Sequence, residues 1–106
     1  MAWLMLVAAG ILEVVWAFFM KQSAGFTRWV PALLTVVTMA GSVVLLAMSM
    51  RTLPLGTAYT IWTGIGALGA FLVGIIVLGE PANSLRVLAA ALIVAGLILM
   101  KVSTPG

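Results

Sequence analysis

Apolar residues run along this chain in four long blocks, at about 2–20, 30–50, 56–78 and 84–100, and polar residues collect in the short breaks between them. Each block holds about 17–23 residues. As an α-helix rising about 1.5 Å per residue, such a block spans about 25–34 Å, which matches a hydrocarbon core of about 30 Å. The breaks read "KQSAGFTRWVP", "RTLPLGT" and "GEPANS", each with Gly and Pro, the residues that punctuate helices. Pro31 and Pro81 stand close to helix starts, where a missing N–H costs little. The pattern predicts one domain over 1–106, an all-α membrane protein of four transmembrane helices whose short loops make neighbours antiparallel.

Composition sharpens this. Hydrophobic residues make up 65% of the chain and charged residues 7%, where a soluble domain carries about 25% charged, so the lipid bilayer is the expected surroundings. The first block lacks a basic start and an A-x-A-like cleavage site, and it carries Glu13 at its centre, so a retained helix is expected in place of a cleaved signal. With no Cys and no His there is no disulfide frame, no thiolate or imidazole ligand and no imidazole base. Most enzyme classes lose their parts, and neither cofactor nor metal is expected. The formal charge of +3 comes from cations at helix ends, where they serve as interfacial anchors and not as a nucleic-acid surface.

Those cations barely set an orientation. Lys21, Arg28 and Arg86 fall on one side, Arg51, Lys101 and the α-amino group on the other. Charge alone leaves open both a fixed orientation and insertion both ways up with pairing as an antiparallel, dual-topology homodimer.

The charge that needs explaining is Glu13, within "AAGILEVVWAFFMKQ". A carboxylate at mid-membrane costs about 2.5–3.5 kcal/mol on insertion scales, which makes a retained one a functional-site hypothesis. Lys21 is about 12 Å further along the axis and is expected to snorkel to the interface. Glu13 must then be protonated, or meet a cation that comes and goes, or alternate between the two; a permanently neutral hydrogen-bonding rivet is the bland alternative. On the first helix Leu6, Gly10, Glu13, Ala17 and Met20 share a face with Trp16 on its flank, and Gly10 and Ala17 are expected to leave room beside the carboxylate. Thr35, Thr38, Ser42 and Ser49 form a stripe on the second helix; Tyr59, Trp62, Gly66, Gly69 and Val73 form one on the third. Ser42, Tyr59 and Trp62 could orient Glu13 by hydrogen bonds, and the rings offer π-faces to a cation. Ordinary helix packing is the competing reading for each hydroxyl.

Within "WTGIGALGAFLVG", Gly64, Gly66 and Gly69 permit close approach and weaken the third helix enough to bend it. The fourth block has no intramembrane polar group and reads as a dimerisation element around Gly96. Four helices are too few to wall a pathway whose single acid must face water on alternating sides, so at least two copies are expected. Inserted in opposite senses, they would reproduce an inverted repeat with a midplane site.

The whole chain resembles the small multidrug resistance family, through "GILEVVWA" at Gly10–Ala17, "GFTR" at Gly25–Arg28 and "LPLGTAYTIWTGIGALGA" at Leu53–Ala70. The "EVVW" form, with Ser42 and Lys101, is similar to the guanidinium-exporter subtype. The resemblance implies an antiparallel homodimer in a bacterial inner membrane that exchanges protons for a small organic cation, guanidinium or a small substituted form of it. It also implies that the two Glu13 carboxylates are the shared substrate and proton site, completed by Ser42, Tyr59 and Trp62 and flanked by Gly10 and Trp16. The bulky "AFFMK" at Ala17–Lys21 and the position of Thr60 depart from the family pattern and leave room for alkyl-substituted or biguanide-like cations. A broad quaternary-ammonium exporter of the same family and a non-transporting helical assembly factor are the other readings, and a paralogous partner chain stays open beside the homodimer.

Overall fold

The computed structural model describes residues 1–104. Its helices are α1 (Ala2–Gln22), α2 (Trp29–Ser49), α3 (Leu55–Ile76) and α4 (Ser84–Ser103), and there is no strand among the described residues. All four are long and apolar enough to cross a membrane.

Local chemistry sets where they end. Beyond α1, Ala24, Gly25 and Phe26 all take left-handed backbone, at φ 50°, 75° and 67°, a conformation that costs a residue with a Cβ about 1–2 kcal/mol. Fully buried Ser23 holds the turn: its Oγ donates to the Met20 carbonyl at 2.6 Å and accepts from the Phe26 N–H at 3.0 Å. Helix α3 stops at Ile76, short of the expected 78, because Gly79 turns left-handed at φ 70°. The Glu80 N–H then closes back onto the Gly74 carbonyl at 2.9 Å, satisfying an end-of-helix acceptor. Helix α4 starts on an Asn83 cap whose side-chain oxygen accepts from the Arg86 N–H at 2.9 Å. It runs past the expected 100, and just beyond its end Thr104 donates to the Met100 carbonyl at 2.7 Å and shares a hydrogen bond of 3.1 Å with Thr57 of α3.

Helix α1 is central, with α2 and α3 packed on it, and α4 lies along α3. The buried apolar cluster joins Leu6 and Ala9 of α1, Leu46 of α2, Leu53, and Ala58, Ile61 and Trp62 of α3. Small residues on α1 let the backbones approach closely, the usual source of helix association where lipid removes the hydrophobic contrast. Helix α4 buries no residue and is tied at its C-terminal end, where the Lys101 ammonium sits 4.2 Å from the centroid of the Trp3 ring. The Cα envelope measures 43 × 34 × 16 Å. With packed helices about 8–10 Å apart, its thinnest dimension is too small to enclose a chamber within one copy.

Candidate functional site

Glu13 lies midway along α1, on the side that meets α3. One carboxyl oxygen, Oε1, is out of reach of solvent and has no hydrogen-bond partner among the described residues, and the same holds for the indole Nε1 of Trp16 one turn on. The only salt bridge among the described residues joins Arg86 to Glu80 at 3.4 Å, in the turn before α4 and at its start. Helix α2 has no ionisable side chain and α3 has only Tyr59, so no fixed cation neutralises Glu13 from the helices packed on α1.

A polar chain passes close by. The indole N–H of buried Trp62 donates to Ser42 Oγ at 3.0 Å, and the fully buried Ser42 hydroxyl donates to the Ala9 carbonyl of α1 at 2.6 Å. In a regular helix that carbonyl already accepts from the N–H of Glu13. The chain therefore pins α2 and α3 to the backbone turn that carries the acid and not to the acid itself. This differs from the expectation that Ser42 and Trp62 hydrogen-bond the carboxyl, and the reason is reach: the Ala9 carbonyl lies within contact of α2 and takes the hydroxyl first. Tyr59 is exposed and packs its ring against Trp62, with centroids 5.5 Å apart and planes tilted by 52°. The other hydroxyls of the α2 stripe bond back to their own helix, Thr35 to the Pro31 carbonyl at 2.8 Å, Thr38 to Leu34 at 2.7 Å and Ser49 to Leu46 at 2.7 Å.

The glycines fall differently from expectation. Gly10 leaves no room beside the acid, because Ile65 of α3 fills the place, its Cγ2 2.6 Å from where a Cβ on Gly10 would stand. The carboxyl group instead lies against Gly66: a Cβ there would overlap Glu13 Oε1 and the carboxyl carbon, and would stand 2.8 Å from Cγ. Gly69 likewise receives Val14 and Gly64 receives Leu97 of α4. Helix α3 is continuous through all three positions, each of which takes a neighbour's side chain. The seat at Gly66 was missed from the sequence, where its one trace is that Gly66 shares a stripe with Tyr59 and Trp62.

Beside this region a groove of about 560 Å³ opens between α3 and α4, lined by Tyr59, Thr63, Gly64, Ala67, Gly96 and Leu97 among others. Of the expected site residues, Tyr59 and Gly64 line it. No group of three or more His, Cys, Asp or Glu side chains that could hold a metal ion occurs among the described residues. A lone, half-buried acid with one unpartnered oxygen and no fixed counter-ion can do one kind of chemistry: bind a proton or a small cation and release it.

The family model described as Small Multidrug Resistance protein matches residues 1–104. The chain is similar to a protein of Escherichia coli (strain K12) named Guanidinium exporter, 54% identical over 104 residues that cover 98% of this chain and 99% of the relative. It is similar also to the proteins of the same name from Citrobacter freundii, 53% identical over 98% and 99% of the two chains, and from Yersinia pestis, 53% identical over 98% and 100%.

Proposed function

The chain belongs to the Small Multidrug Resistance protein family, and from that premise we propose that it exports guanidinium across a bacterial inner membrane in exchange for protons, as an antiparallel homodimer working by alternating access. One observation carries the reading: the buried, unpartnered Oε1 of Glu13 within a membrane-spanning helix. A buried polar atom left without a partner costs about 1–3 kcal/mol, more if charged. A site that keeps such an atom is suited to a partner that arrives and leaves.

Guanidinium fits the acid. It is planar, keeps its charge near neutral pH, and presents paired N–H donors that match a carboxylate. Proton and guanidinium bind the same oxygens, so loading one expels the other, and an inward proton gradient drives the cation out. Trp16 stands one turn from the acid, and the Trp62–Ser42–Ala9 chain fixes the turn of α1 that bears Glu13, with Tyr59 packed on Trp62. The thinness of one copy supports a second copy as the other wall.

In proteoliposomes, Glu13→Gln is expected to abolish proton-coupled guanidinium uptake, and coupled transport that survives the change removes Glu13 from the mechanism. Guanidinium, a methylated analogue and tetraethylammonium tested side by side fix the substrate class; transport of tetraethylammonium alone overturns guanidinium export.

A further inference from the structure

We propose that Gly66 is a positioning residue that selects between the two cargoes of Glu13, because the missing side chain gives the carboxyl group a seat against the α3 backbone that admits the acid with a proton and not the acid with guanidinium. The inference rests on the exchange proposed above. Two independent observations meet in it: a Cβ on Gly66 would overlap the Glu13 carboxyl group, and the oxygen lodged there has neither water nor a hydrogen-bond partner among the described residues.

The selection follows from size and charge. A planar cation holding both carboxylate oxygens needs Oε1 free as well as Oε2, and an Oε1 pressed on Gly66 is not. An unpaired charge is also disfavoured where water is excluded, and within one copy no counter-charge reaches the seat: α2 has no ionisable group, α3 only Tyr59, and on α1 Lys21 is two turns away. The seated acid is therefore the proton-loaded one. Taking up guanidinium requires the carboxyl group to leave Gly66, which loosens the α1–α3 contact at the point where Ile65 on Gly10 and Val14 on Gly69 close it on either side. Cargo exchange and helix packing are thereby linked at one position.

The test is guanidinium binding to the full-length protein by titration calorimetry across a pH series. Gly66→Ala fills the seat and moves the carboxyl group into water. The pH at which half the guanidinium binding is lost then moves about one unit towards acid, which is about tenfold tighter binding on the acid flank. Gly69→Ala is the control, since it makes the same change on the same helix but meets Val14; its midpoint stays with the unmodified protein. If the glycines act by bending α3, both variants slow transport and neither moves the midpoint, and that result overturns the seat. Equal shifts in the two variants overturn it as well. A second arm reads folding: Glu13→Asp withdraws the acid by one methylene, so the Glu13→Asp, Gly66→Ala pair is expected to fold better than Gly66→Ala alone, and a pair no better than the single variant refutes the contact. Loss of proton competition in the unmodified protein would sink the exchange reading itself, whereas a normal unmodified protein with an unmoved Gly66→Ala sinks only the seat.

Discussion

Ser42→Ala should expose how the bundle is pinned around Glu13. The substitution removes the 2.6 Å bond to the Ala9 carbonyl and leaves the Trp62 indole N–H, 3.0 Å away, with no acceptor at a buried position. The first loss is about 0.6–1 kcal/mol by the measured range for interhelical hydrogen bonds in membranes, and Ala9 keeps its intrahelical donor. The second is an orphaned buried donor, about 1–3 kcal/mol. Together they predict a loss of about 2–4 kcal/mol in unfolding free energy. Trp62→Phe removes the donor instead and leaves Ser42 bonded to Ala9, so its cost is mainly lost packing. In the double variant no donor is orphaned, and the combined loss should fall short of the sum of the singles by about 1–2 kcal/mol. Unfolding titrations in detergent for all four proteins supply the cycle. Strictly additive losses would mean that Ser42 and Trp62 do not act on one another, and the pinning of α2 and α3 to the Glu13 turn would be refuted.

Two further outcomes test the frame around the site. Ser23→Ala removes the two side-chain bonds that Ser23 gives the left-handed turn from Ala24 to Phe26, and a loss of about 1–2 kcal/mol should appear in thermal unfolding and as faster amide exchange at Phe26; unchanged exchange would show that the bonds of Thr27 and Arg28 to the Ser23 carbonyl hold the turn alone. Lys101→Met removes the cation over Trp3, a contact worth about 0.5–1 kcal/mol at an exposed site, so the melting temperature should fall slightly while guanidinium transport per folded protein stays unchanged, and a transport defect at full stability would place Lys101 in the transport cycle.

The four spans were legible because block length and hydropathy are properties of the sequence that the bilayer reads directly. Helix ends were less so. The early stop of α3 depends on Gly79 turning left-handed, and a glycine followed by Glu80 and Pro81 does not say at which residue the turn begins. The extension of α4 depends on Thr104 reaching both Met100 and Thr57, a tertiary contact with no local signature. The contact of Lys101 with Trp3 joins two ends of the chain and leaves no trace in either segment alone.

At the candidate site the sequence identified the acid and the faces but not the pairings. Periodicity puts Ser42 and Trp62 on inward stripes, yet it cannot say whether a hydroxyl meets a carboxyl group or a backbone carbonyl, because main-chain acceptors are present at every turn and carry no letter. Glycine is the harder case, since the same letter permits bending, close packing or a void that some other side chain must fill. Read along α3 alone, Gly64, Gly66 and Gly69 look alike; what separates them is the facing residue, Leu97, Glu13 and Val14 in turn. Two of those are hydrocarbon, so their glycines serve packing. The third is the one acid in a membrane span, so of the three only Gly66 faces a group that can carry charge, and a methyl group added there meets charge as well as volume.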